Sequence, residues 1–210
     1  NIYRDRDINS SASGVGFKDK SYGMAFGGEF DLDDSIKLGF AAANIDSNLN
    51  VADNQGGRDS NSFFAAAYAN YKTTNNLFAS LALTLGYHDN KNSRAVTNNG
   101  VQAFARSDST DKEIGLNFQV GKKFTVKEVW NIMPKLSVSY IKTMAGKLKE
   151  DSLAGNSAIS VEDYGISTLK FREGVRFERS NFFRLSNIEF SPYFELGLAQ
   201  ERSLGDRKIN

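Results

Sequence analysis

From Ile188 onward every second residue is apolar: Ile188, Phe190, Pro192, Phe194, Leu196 and Leu198. The positions between them, Glu189, Ser191, Tyr193, Glu195, Gly197, Ala199 and Glu201, are charged, polar or small. A period of two is a strand with two different faces. The same period recurs at 21–30 (Tyr22, Met24, Phe26, Phe30), 36–46 (Ile36, Leu38, Phe40) and 62–72. It is cleanest at 77–88, where Leu77, Ala79, Leu81, Leu83, Leu85 and Tyr87 alternate with Phe78, Ser80, Ala82, Thr84, Gly86 and His88. It returns at 112–124 (Ile114, Leu116, Phe118, Val120), 132–142 (Ile132, Pro134, Leu136, Val138, Tyr140) and 167–178 (Leu169, Phe171, Val175, Phe177). No stretch keeps a 3.6-residue apolar period for three turns, so the pattern predicts about eight strands and no helix.

The connections carry a second regularity. Those at 31–35, 73–76, 125–131 and 179–187 are short, whereas 47–61, 89–111 and 143–166 are long and polar. Strict alternation of short and long links puts every long loop at one end of an antiparallel sheet. About ten residues rising ~3.3 Å each and tilted ~45° span roughly 23 Å, close to the ~25 Å apolar band of an outer-membrane barrel. Strands of ordinary soluble sheets are mostly ~5–6 residues long. The reading is an all-β, antiparallel, up-and-down transmembrane β-barrel. It forms one domain over 1–210, with 1–20 as a loop or leading segment. A soluble β-sandwich with its apolar face turned inward is the competing reading.

In such a barrel Leu81, Leu83, Leu116, Phe118, Phe194 and Leu196 face lipid. Lys170, Arg172, Arg176, Glu189 and Glu195 face the lumen as a ladder of opposite charges, which attract across paired strands. If the hairpin turns at about 179–187, residues whose numbers sum to roughly 366 stand opposite. Arg172 then meets Glu195, and Arg176 meets Glu189. Aromatics mark both rims: Tyr71, Phe124, Trp130, Phe182 and Phe183 at the short-turn end, Tyr87 and Tyr140 at the long-loop end. Glu173 breaks the rule. It lies on the apolar parity beside Gly174, so either a bulge shifts the register there or it lies near an interface.

Composition is compatible with this picture without establishing it. The chain has 210 residues, 40% hydrophobic and 24% charged, with a formal net charge of +1. No basic excess points to nucleic acid. The longest apolar run, FFAAAYA at 63–69, is far short of the ~20 residues of a spanning helix, and the first residues do not read as a signal peptide. Alternation dilutes the apolar content of a membrane barrel, so the polar average does not argue against one. With no cysteine and a single histidine, neither disulfides nor a thiolate or His-based metal cluster can form, and no cofactor is expected. His88-Asp89 resembles the His–Asp pair of omptin outer-membrane proteases and defines a barrel-hydrolase alternative. Neighbours on a strand point to opposite faces, however, so the pair is poorly placed for acid–base work, and the chain is expected not to be an enzyme.

Several stretches in order resemble the autotransporter β-domain family, the translocator of type V secretion. SYGMAFGGEFDLDDSIKLGFAAAN is similar to its early hairpin, and SFFAAAYANYKTTNNLFASLALTLGYH resembles its central one. IMPKLSVSYIK, AISVEDYGISTLKFREGVRFE and SPYFELGLAQE resemble the later run, whose outward-going strands open with a proline, here Pro134 and Pro192. The resemblance covers nearly all of 20–205 through loose motifs. It implies a twelve-stranded outer-membrane barrel with a helix in its pore, which anchors and helps export an N-terminal passenger. It further implies outer-membrane lipid and lipopolysaccharide, the passenger and the barrel-assembly machinery as partners. With about eight strands, no pore helix and the polar end SLGDRKIN, the chain departs from that pattern and is expected to be a fragment lacking the first and last strands. Asn75-Asn76 and Asn98-Asn99 are similar to the Asn-Asn cleavage pair of some members. That pair belongs to the pore helix, so both are read as turn or loop asparagines. A small porin-like or adhesive barrel is the remaining alternative.

Overall fold

The computed structural model describes residues 2–10, 15–98, 101–127, 129–151, 158–179, 183–185 and 188–204. In chain order the strands are β1 (Ile2–Ile8), β2 (Phe17–Asp31), β3 (Ile36–Val51), β4 (Gly56–Lys72), β5 (Leu77–Asn98), β6 (Val101–Lys122), β7 (Phe124–Val126), β8 (Trp130–Ala145), β9 (Leu148–Lys149), β10 (Ser160–Val161), β11 (Tyr164–Arg179), β12 (Phe183–Leu185), β13 (Ile188–Phe190) and β14 (Tyr193–Leu204). One antiparallel sheet holds ten of them, nine in the order β1-β2-β3-β4-β5-β6-β8-β11-β14 and β7 beside β8, while β9 with β10 and β12 with β13 form two small hairpins. Each strand lies beside its predecessor in sequence, the meander that short connections favour. β7 continues the line of β6 against β8, and the two are parted where Pro134 of β8 has no N–H to offer.

The sheet turns its apolar side chains outward. Along β5, Leu81, Leu83, Leu85 and Tyr87 are exposed, whereas Ala82, Thr84, Gly86, His88 and Asn90 between them are partly or fully buried. Leu85 is 51% exposed, and Asn90, five residues further along on the other face, only 3%. Side chains crowd together on the inside of a curl, so the polar face is the inner one. Among the described residues only Val96 and Ala105 form a buried apolar pair, far from the middle of the sheet. A water-soluble sandwich would bury the leucine face instead.

Three expectations need correction. Residues 2–8, read as part of a leading loop, form β1 and pair with Phe17–Gly23. With β1 and the short β7 the main sheet has ten strands rather than about eight. The supposed long loops at 47–61 and 89–111 are mostly strand: β3 and β4 continue to a short turn at Ala52–Asn54, and β5 and β6 are each 22 residues long. Beyond the apolar band both faces of these hairpins are polar, so no alternation reveals them, yet backbone pairing simply runs on. Asp53 and Asn54 take positive φ in the first of these turns, and Gly56 takes φ 121°. Finally, 188–201 is not one strand. It breaks at Pro192, leaving β13 in a small separate hairpin with β12.

Candidate functional site

The two faces of the sheet are the functional surfaces. On the outer face Leu81 stands opposite Phe118 and Leu83 opposite Leu116. Phe194 and Leu196 continue that face on β14, opposite Phe177 and Val175, and the rings of Phe177 and Phe194 stack at 4.8 Å. The six residues assigned to lipid thus share one exposed apolar wall. Tyr71, Phe124 and Trp130 lie toward its short-turn end, and Tyr87 and Tyr140 toward the other, all on the outer face. Phe182 falls outside the described residues.

Glu173 belongs to this wall. Its register with Leu136 on one side and Leu198 on the other is continuous, so no bulge turns it inward. It lies midway between Phe177 and Leu169, not at a rim.

On the inner face the charge ladder exists with a different register. Numbers of paired residues on β11 and β14 sum to 371, so Lys170 faces Glu201, Arg172 faces Ala199, and Arg176 faces Glu195. The expected sum of 366 assumed a simple turn at 179–187, where the β12–β13 hairpin instead takes up five residues' worth of offset. Lys170 bonds Glu201 at 3.1 Å. Glu195 takes Lys135 of β8 at 2.7 Å, across the whole width of β11. Lys135 can cross because Gly174 and Gly197, its row neighbours, raise no side chain in the way. Arg176 instead bonds Glu178 at 2.8 Å and lays its guanidinium 3.7 Å from the centre of the Tyr193 ring. The Arg172 side chain makes no ion pair or hydrogen bond among the described residues, and Glu189 sits in β13, paired with Arg184, outside the ladder. Sequence parity could find Lys135 and Glu201 as inward residues; which cation met which acid needed the register.

Higher on the inner face, toward the long hairpins, lies a second polar network. Asp111 accepts from Arg58 at 2.9 Å, Asn90 at 2.9 Å and the Gly146 N–H at 3.1 Å. Above it Arg94 of β5 grips Glu150 with two hydrogen bonds of 2.9 and 2.7 Å. The pair passes over Ala105 of β6, which is 1% exposed. Glu150 also accepts the Ile159 N–H at 2.8 Å. The Arg94 guanidinium holds the Glu150 carboxyl below its ordinary pKa.

His88 lies on the inner face and Asp89 on the outer, as strand parity requires. The His88 Nδ1 is 2.9 Å from Ser62 Oγ and its ring meets Phe64 edge-on at 5.2 Å. Asp89 accepts from Thr110 at 3.1 Å. The sheet therefore separates the two members of the hydrolase pair. Asn75 and Asn76 occupy the tight turn between β4 and β5, with Asn76 at φ 58°; Asn99 lies outside the described residues.

A meandering antiparallel sheet with an exposed apolar wall, aromatic rims and a polar charged interior is the wall of a transmembrane β-barrel. The autotransporter β-domain model matches residues 2–210, and the chain belongs to that family of translocator barrels. Its fold is similar to the translocator domain of the autotransporter NalP from Neisseria meningitidis. The TM-score is 0.77 at 15% identity, over 98% of this chain and 67% of that one. It is also similar to the β-domain of the Bordetella autotransporter BrkA, with a TM-score of 0.65 at 16% identity, over 96% of this chain and 78% of that one. A comparison with curated proteins gives no match.

Proposed function

We propose that this chain serves in the outer membrane of a Gram-negative bacterium to anchor an N-terminal passenger and help it across. The observation that carries the reading is the inverted wall. Leu81, Leu83, Leu85, Leu116 and Phe118 are all 42–51% exposed on one face, which only hydrocarbon can satisfy over so large an area. The opposite face offers a wet, charged interior of the kind an extended polypeptide can pass. Its partners are then outer-membrane lipid and lipopolysaccharide, the passenger, and the machinery that inserts barrels. It acts as a conduit and anchor, not as an enzyme.

The test is to express the full-length protein with its passenger and shave intact cells with protease. Passenger cleaved at the surface, with the barrel protected in the outer-membrane fraction, is the expected result. Passenger held in the periplasm beneath an inserted barrel would overturn the export role. His88→Ala should leave export unchanged; loss of a peptidase or lipase activity in that variant would give the case to the hydrolase alternative.

A further inference from the structure

The outer face is electrically uneven just above the apolar wall. Over β3, β4 and β5 the first outward residues beyond the wall are Asn44, Asp46, Asn61 and Asp89, with Asp59 and Lys91 one outward position further on. Over β6, β8 and β14 they are Lys112, Lys142 and Arg202. All three cations are exposed, and the side chain of none makes an ion pair or hydrogen bond among the described residues. They mark the height at which the wall ends. Lys112 pairs with the rim aromatic Tyr87, Lys142 follows Tyr140 by two residues on the same face, and Arg202 pairs with Leu169, the register partner of Tyr140.

We infer that Lys112, Lys142 and Arg202, with the hydroxyls of Tyr140 and Ser167, bind the phosphate of a phosphorylated glycolipid headgroup in the outer leaflet. The inference rests on the membrane-barrel reading and specifies which lipid chemistry meets which quadrant. Register sets the spacing. Lys142 stands opposite Ile114, so Lys112 is its diagonal neighbour, about 7–8 Å away. Arg202 is two strands on and one outward position lower, roughly 12 Å from Lys142. Side chains of this length close over a phosphate lying between them. The space between Lys142 and Arg202 holds the Tyr140 Oη and Ser167 Oγ, 3.0 Å apart, one donating to the other and leaving the second proton for a phosphate oxygen. Arginine and lysine at such a position supply a bidentate fork and a point charge for phosphate oxygens.

The carboxylates nearby are engaged or distant. Asp89 takes Thr110, Glu162 takes Lys147 at 2.8 Å, and Glu173 lies four residues from Leu169 toward the short turns. At the same height, the aspartates over β3–β5 would repel phosphate. Depth selects a lipid over a soluble anion, because acyl chains below the headgroup lie against Leu116, Val138 and Phe171.

Native mass spectrometry of the full-length protein, extracted in detergent and supplied with a bis-phosphorylated diglucosamine glycolipid, tests this. Lys112→Gln, Lys142→Gln and Arg202→Gln should each lower the bound fraction at least threefold, and the triple variant should lose it. Lys91→Gln, an outward cation over the acidic quadrant, should not change it. The dephosphorylated glycolipid should not be retained. Equal retention by the triple variant, equal retention of the dephosphorylated lipid, or full displacement by millimolar inorganic phosphate would each overturn the inference. A chain that never enters the membrane fraction would overturn the barrel reading instead.

Discussion

Glu173 is the one outward charge placed between Phe177 and Leu169 with apolar residues on both neighbouring strands, Leu136 and Leu198. It makes no ion pair or hydrogen bond through its side chain among the described residues, so lipid must receive either a carboxylate or its protonated form. Charged substitutions on the lipid face cost ~2–4 kcal/mol for basic residues at mid-depth, and less for acidic ones. Glu173→Leu should therefore raise folding stability by about 1–2 kcal/mol in denaturant unfolding from lipid vesicles. A loss of stability would mean that the carboxylate has a partner in the membrane. Glu150 is the contrasting case, a carboxylate well outside the wall and well satisfied. Arg94 lowers its pKa from the ordinary 4.5, so the ionised pair contributes stability above that value. The contribution fades as pH falls through the lower, folded value. Protection of the amides along 146–151 from hydrogen exchange, relative to the unstructured rate at each pH, should fall below about pH 4.5. Glu150→Gln should show the lower protection already at pH 7, and protection unchanged across that range would remove the clamp.

At the scale of elements, β11 and β14 show what alternation can and cannot carry. Parity sorts Lys170, Arg172 and Arg176 from Leu169, Phe171, Val175 and Phe177 without any structure, because neighbouring side chains must alternate. Parity is unchanged by a register shift of two, so the partners of those cations stay open until the turn is known. The shift from a sum of 366 to one of 371 comes from β12 and β13, whose three-residue strands are too short to announce themselves. The same blindness hid the upper halves of β5 and β6: Ser, Asn, Asp and Thr on both faces give a strand no period. The wall, the rims and the inner face were thus legible, while the ion pairs and the height of the hairpins were not. The corrected ladder is testable. Lys170→Glu should destabilise by ~0.2–1 kcal/mol, and Glu201→Lys in the same chain should recover part of it. Arg172→Glu, facing Ser137 and Ala199, should show no coupling with Glu195. A cycle that couples 172 to 195 and not 170 to 201 would restore the shorter register.

For the molecule as a whole, the decisive property is that one continuous row of the outer face is apolar across the main sheet from β2 to β11, although each strand alone is an ordinary amphipathic segment. Phe30 faces Leu38, Leu38 faces Ala69, Ala69 faces Leu81, Leu81 faces Phe118, Phe118 faces Val138, and Val138 faces Phe171. Such a row has no partner within the sheet, and in water it would drive aggregation. In hydrocarbon it is the stable arrangement, since the strands are joined along this row by backbone pairing that leaves no group there in need of water. Two measurements separate these environments. Leu83→Arg, in the middle of the row, should cost ~2–4 kcal/mol when the chain is folded in a bilayer. Single cysteines along 77–88 should react with a water-soluble maleimide at 80, 82 and 84 and resist it at 81, 83 and 85, in register with Gln119, Asn117 and Gly115 on β6. A lipid-soluble quencher should reverse the order. Uniform reactivity, or protection of the even positions in place of the odd, would mean that the leucine wall is packed against protein and that the sheet belongs in water.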